Sequence, residues 1–212
     1  MDCFIRNARP SDAIAVAELM YSSGPELYDY LYQIGNTSAV DFINYQFPRD
    51  ANFSSHQWHY VAEVNGIVAG VVECYDADQY KKMLWPQLKD ILTFYPFLSW
   101  ARLGRRLTHV GSVLSVPKAS QTYIANLGIH PDYQGQGIGT QLIQYLEHQS
   151  EQLGYRSITL DVALNNPNAQ RLYERLGFEV IKEGRFKGDA SHNVPDARLM
   201  VKQIGNETLS HK

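Results

Sequence analysis

Apolar and polar positions alternate with a period near two along WHYVAEVNGIVAGVVECYD, where two β-rich runs flank Asn65–Gly66. Asn-Gly tolerates the positive φ values of a two-residue turn, so this stretch predicts a β-hairpin. In CFIRNARPSDAIAVAELMYSS the period changes. A short strand leads into a helix capped by Ser11 or Asp12, with Ile14, Val16, Ala17, Leu19 and Met20 turned inward. The tyrosine-rich SSGPELYDYLYQIGNTSAVDFINYQF is less regular, and Val40, Ile43 and Phe47 predict a second helix within it. KKMLWPQLKDILTFYPFLSWARLGRRLTHV, rich in aromatics and arginines, reads as helical pieces inserted between strands. TYIANLGIHPDY is a strand, followed by a helix of about four turns ending near Gly154. SITLDVAL is a strand, NNPNAQRLYERLGF a short helix closed by Gly177, and EVIKEGRF and ARLMVKQI the last two strands.

Helices and an antiparallel hairpin come first, then strand–helix–strand–helix–strand–strand. The economical packing is an α/β or α+β fold, one sheet with helices on its faces. A chain of 212 residues suits a single domain over 1–212, with the helical insertion at about 76–118.

Composition narrows the function. Hydrophobic residues at 44% against 19% charged describe a chain that buries a core rather than a disordered one. A net charge of −3 argues against a nucleic-acid partner, which needs a basic surface. Cys3 and Cys74 are too few for a disulfide framework, which favours the cytoplasm. LTFYPFLSWA, the longest apolar stretch, is about half a membrane span, so no membrane association is expected. The seven histidines show no H-x-x-x-H pair, so no metal is expected.

The informative stretch is HPDYQGQGIGTQLIQYLEHQ, with glycines at 135, 137 and 139 directly before an apolar-periodic run. A helix N-terminus offers unpaired N–H groups to an anion, and glycines let a phosphate approach the backbone; a ligand-free turn has the same composition. The phosphate loop of nucleotide hydrolases requires a lysine that is absent here. The dinucleotide fingerprint requires glycine where Thr140 or Leu142 stands, although Asp161 mimics its ribose-binding acid. The pattern Q/R-x-x-G-x-G/A is met at every defined position by Gln134-Gly135-Gln136-Gly137-Ile138-Gly139.

With IRNARPSD at the start and NNPNAQRLYERLGF further on, the chain resembles the GCN5-related N-acetyltransferase (GNAT) family outside roughly 22–57 and 76–118. The resemblance implies a mixed, mostly antiparallel central sheet with splayed strands and helices on both faces. It also implies acetyl-coenzyme A as cosubstrate, with the pyrophosphate on Gln134, Gly135, Gln136, Gly137, Gly139 and Thr140. The pantetheine arm would lie along Leu127 and Ile129, with Asn168 as a further ligand, while Asn166 suits a helix cap. A backbone N–H at Ile129 or its neighbour would hold the oxyanion.

Tyr173 matches the family tyrosine, whose hydroxyl the resemblance places near the coenzyme A sulfur as general acid; the alternative is a core tyrosine, since it shares a stripe with Ala169, Leu172 and Leu176. Glu73 and Asp161 are both candidates for the base, and either could instead be a structural carboxylate; His130 reads as a loop residue. The acceptor is a small-molecule or peptide amine. Glu26, Asp29 and Tyr28, in an acidic and tyrosine-rich segment, suit a cationic amine. The basic insertion reads as a lid or a contact in a homodimer. A coenzyme A-binding module without turnover and a dinucleotide-dependent oxidoreductase are the competing readings.

Overall fold

The computed structural model of the protein describes residues 3–205. A single seven-stranded sheet runs through it in the order β1-β2-β3-β4-β5-β7-β6. In sequence these strands are β1 (Cys3–Asn7), β2 (His59–Val64), β3 (Ile67–Asp76), β4 (Gln121–Ile129), β5 (Ser157–Ala163), β6 (Glu179–Gly184) and β7 (Ala197–Gln203). All neighbours are antiparallel except β4 and β5. That topology is not the doubly wound parallel sheet of dinucleotide-binding folds.

Helices cover both faces. On one lie α1 (Ala13–Ser22), α2 (Pro25–Tyr32) and α3 (Ala39–Gln46), packed over Val61 and Val71 with the inserted α4 (Ala77–Phe94) and α5 (Trp100–Val110). On the other lie α6 (Ile138–Gln152) and α7 (Pro167–Arg175), packed over Ala62, Val72, Ile124, Ile158 and Leu160. Burial on both faces explains the run of valines before Glu73, where strict alternation fails.

Three details differ from the expectation. The tyrosine-rich stretch forms two helices rather than one, because Gly24-Pro25 starts α2 and Ser38 starts α3 through a reciprocal cap with Asp41. Ile14 is 78% exposed, since the stripe on α1 runs through Val16, Ala17, Leu19 and Met20 instead. Neither Ser11 nor Asp12 caps α1 with its side chain. Asp12 instead accepts the Arg9 backbone N–H and two bonds from the Arg6 guanidinium, tying β1 to the turn before α1.

The feature that positions the site is a bulge in β4. Ala125 pairs with Glu73 and Gly128 with Val71, so Asn126 and Leu127 together oppose Val72. Asn126 takes φ 24°, outside the usual strand region. Beyond this point β4 leaves β5, for their pairing runs only from Gln121↔Ser157 to Ile124↔Leu160. A crevice opens between the two strands, with one wall from β4 and the other from β5 and α7.

Candidate active site

On the α6 side of the crevice, the loop after β4 turns through Gly135 (φ 74°) and Gly137 (φ 85°), both in the left-handed region. A Cβ at either would meet nothing within 4 Å, so these glycines are required by conformation and leave open space in front of them. Gly137 begins α6 with no side-chain cap, which leaves the first N–H groups of the helix, including those of Gly139 and Thr140, without intrahelical partners. Such N–H groups could cradle an anion, and a pyrophosphate fits their chemistry. The side chains of Gln134 and Gln136 hold the loop itself, donating to the carbonyls of Ile129 (3.3 Å) and Asp132 (2.8 Å). Leu127 and Ile129 from β4 and Leu172 from α7 converge on Gly139, at 3.8, 3.9 and 3.6 Å from where its Cβ would stand. The crevice mouth is therefore apolar beside a polar cradle.

Tyr173 lies on α7, buried against Phe178 with ring centroids 6.0 Å apart. Burial pushes its hydroxyl up to about 12, and among the described residues that hydroxyl has no hydrogen-bond partner. Asn166 caps α7 by accepting the Ala169 N–H at 3.1 Å, while Asn168 accepts from Arg171 on the surface.

On the opposite face, Glu73 is 2% exposed, beneath α2. One oxygen accepts a bond from the Asn126 amide at 2.6 Å; the other has no partner. Tyr28 donates its hydroxyl to the Asn126 carbonyl oxygen at 2.7 Å, so α2 is latched to the bulge. His59, across the β2–β3 ladder from Glu73, has Nε2 at 3.9 Å from the carboxylate and unpaired, while Nδ1 faces the Ser55 carbonyl at 2.7 Å. Nδ1 must then carry the proton, leaving Nε2 as a lone pair. Burial raises Glu73 to about 8 and lowers His59 to about 4. Near neutrality, then, both are largely uncharged, and two buried polar atoms without partners face one cluster.

Asp161 lies differently. Its oxygens accept from the Ser115 N–H (2.6 Å), the Ser115 hydroxyl (3.0 Å) and the Tyr123 hydroxyl (2.8 Å). Burial raises its pKa, but these three donors oppose the shift. It anchors the chain returning from the insertion to the sheet. Of the acceptor candidates, Tyr28 belongs to the Glu73 cluster. Asp29 accepts from Tyr21 at 3.0 Å, and Glu26 lies half-buried in the first turn of α2.

Sequence reasoning missed Asn126 and His59. An Asn with a Gly two residues later inside a strand pattern is a bulge signal and could have found the first. Nothing in the sequence pairs His59 with Glu73 except a register known only once the hairpin is folded.

Among the described residues no group of three or more His, Cys, Asp or Glu side chains could hold a metal ion, and no helix is long and apolar enough to cross a membrane.

The acetyltransferase (GNAT) family model matches residues 27–178. The ribosomal protein bS18-alanine N-acetyltransferase of Escherichia coli K12 is 42% identical over 79 residues, 37% of this chain and 53% of that protein. N-alpha-acetyltransferase 30 of Schizosaccharomyces pombe is 32% identical over 94 residues, 44% of this chain and 59% of that one. The chain thus spans about half the length of the curated relatives it matches. Among solved structures, an N-acetyltransferase from Staphylococcus aureus Mu50 superposes with a TM-score of 0.63 at 22% identity, covering 93% of this chain and 99% of that one. yncA from Salmonella typhimurium, solved with its cofactor acetyl-CoA, superposes with a TM-score of 0.56 at 18% identity, covering 98% and 96%.

Proposed function

Since the chain belongs to the acetyltransferase (GNAT) family, we propose that it moves an acetyl group from acetyl-coenzyme A to a primary amine by direct attack. The observation that carries the reading is the pairing, across one bulged strand, of an anion cradle on α6 with a buried carboxyl group that has a free oxygen.

In this mechanism the cradle of Gly135, Gly137, Gly139 and Thr140 binds the pyrophosphate, and the pantetheine arm runs past Leu127, Ile129 and Leu172. Backbone donors at the bulge, released from the β3–β4 ladder, stabilise the tetrahedral oxyanion; losing such a donor costs about 2.7–4 kcal/mol in characterised enzymes. Glu73 takes the proton from the attacking amine. Its pKa of about 8 is close to working pH, which suits a base. Asp161, with both oxygens engaged, serves structure instead. The N–C bond forms, the C–S bond breaks, and the thiolate leaves.

Tyr173, held at about 12, is a weaker acid than a thiol of pKa about 8.5. It therefore donates a hydrogen bond to the departing sulfur, and the proton itself comes from solvent. Asn168 contributes to the coenzyme from the surface of α7. Both curated relatives are named for acetylation of amino groups, which supports an amine acceptor here; Glu26 and Asp29 give α2 the charge to draw a cation toward Tyr28.

The test is thiol release from acetyl-coenzyme A over a panel of amines. Binding of the coenzyme with no amine-dependent release would favour a module without turnover.

A further inference from the structure

A second hollow of about 350 Å³ lies on the same face as Glu73, between α2, α5 and the turn joining β6 to β7. Arg102, Arg105, Arg106 and His109 occupy i, i+3, i+4 and i+7 of α5, so one helical stripe lines the concavity with three guanidinium groups, while His109 is bonded through Nδ1 to the Tyr30 hydroxyl. Tyr30 and His192 form the opposite wall, with Asp189 as the one carboxylate.

Among the described residues none of the three arginines has a carboxylate within 4.0 Å, and Asp189 accepts the Ser191 N–H at 2.9 Å. Arg106 is half-buried, donates to the Gln33 carbonyl at 2.9 Å and stands 5.3 Å over the Tyr30 ring. Burial and the neighbouring charge of Arg102 depress its pKa. Arg102 and Arg105 are exposed and Arg106 is half-buried, and the three converge on a concavity whose one carboxylate, Asp189, pairs with none of them within 4.0 Å.

We propose that this hollow is an anion site that seats a carboxylate or phosphate group borne by the amine acceptor. In naming the acceptor it rests on the acetyl-transfer reading. One tether joins the hollow to the Glu73 cluster: α2 bears Tyr30 here and Tyr28, bonded to Asn126, two residues earlier. The chain leaving α5 is pinned through Ser115 to Asp161. The acceptor's amine would lie under α2, and its acidic group would pair with Arg102 and Arg105 in the fork geometry that guanidinium offers. None of the glycine-loop residues lines this hollow, so the coenzyme's phosphates are held elsewhere.

The experiment uses the full chain and matched amines that differ only in carrying a carboxylate, a phosphate or a neutral amide. Wild type should prefer the anionic members by at least about tenfold in kcat/KM. Arg102→Gln with Arg105→Gln should remove that preference through KM and leave the amide acceptor and acetyl-coenzyme A unaffected. Inorganic phosphate should compete with the anionic acceptors alone. Equal use of carboxylate and amide by wild type, an equal loss for both in the double variant, or non-competitive action of phosphate would overturn the assignment. Calorimetric titration of phosphate into protein saturated with coenzyme A needs no turnover: binding abolished by the double variant supports the site, and no binding by wild type overturns it. Failure of acetyl-coenzyme A to bind would instead strike the acetyl-transfer reading alone.

Discussion

Glu73 owes its properties to one hydrogen bond and a roof of aromatic side chains. Burial raises its carboxyl from 4.5 to about 8, so kcat/KM for the amine should rise with pH and level off above about 8. The same shift makes a stability statement: a raised folded pKa stabilises the protein fully below 4.5, and that contribution is lost as pH rises through about 8. His59 works in the opposite sense, its contribution complete above 6.5 and lost as pH falls through about 4. Glu73→Gln should abolish the upper pH dependence of melting temperature and lower kcat by about 10²-fold or more, with acetyl-coenzyme A affinity unchanged. Melting curves between pH 5 and 9 check the first part; a variant that keeps the wild-type slope would remove Glu73 as its cause. Tyr173→Phe deletes a hydrogen bond to a charged leaving group, about 1.5–3 kcal/mol, and should lower kcat about 10–100-fold in single-turnover kinetics. The place of Tyr173 on a short helix was legible because a whole motif surrounds it. The cluster around Glu73 was not, since Asn126 and His59 reach it only through a bulge and a cross-strand register.

Two close backbone arrangements set the elements. Gly128 has no Cβ because the α1 carbonyl of Leu19 lies 2.1 Å from where that atom would stand. Gly128→Ala must therefore push α1 off β4, costing about 1–3 kcal/mol or more in denaturant unfolding. At Gly137, a left-handed φ with open space separates conformation from ligand: asparagine tolerates that backbone, whereas valine would be strained whatever the ligand. Gly137→Asn should fold with a near-normal melting temperature yet lose acetyl-coenzyme A affinity by calorimetry; unchanged affinity would place the pyrophosphate elsewhere. The glycine loop, α6 and the hairpin announced themselves by spacing and turn chemistry. The start of α1 at Ala13, just after Asp12, was legible too, but its missing side-chain cap was not, because the Asp12 carboxylate is spent on the Arg6 guanidinium and the Arg9 N–H, partners that pattern alone does not join to it.

Across the whole molecule, the sheet divides the work. One face, with α6 and α7, carries the glycine loop, on the other α2 roofs Glu73, and β4 parts from β5 between them. The number of strands and their succession along the chain followed from periodicity, but their order in the sheet and the way α4 and α5 fold back did not: that return depends on Asp161 accepting from Ser115 and, separately, from Tyr123. Asp161→Asn should loosen that return, seen as faster amide exchange over residues 110–118 and a higher acceptor KM, with acetyl-coenzyme A affinity preserved. If exchange there is unaltered, the carboxylate is not the anchor. The central claim, that a carboxyl on one face serves a thioester held from the other, meets its most direct test in thiol release from acetyl-coenzyme A across the amine panel, measured beside coenzyme binding for wild type and Glu73→Gln. The account predicts amine-dependent release by wild type and its loss in the variant, with equal coenzyme affinity in both; binding without amine-dependent release, or full release by the variant, would contradict it.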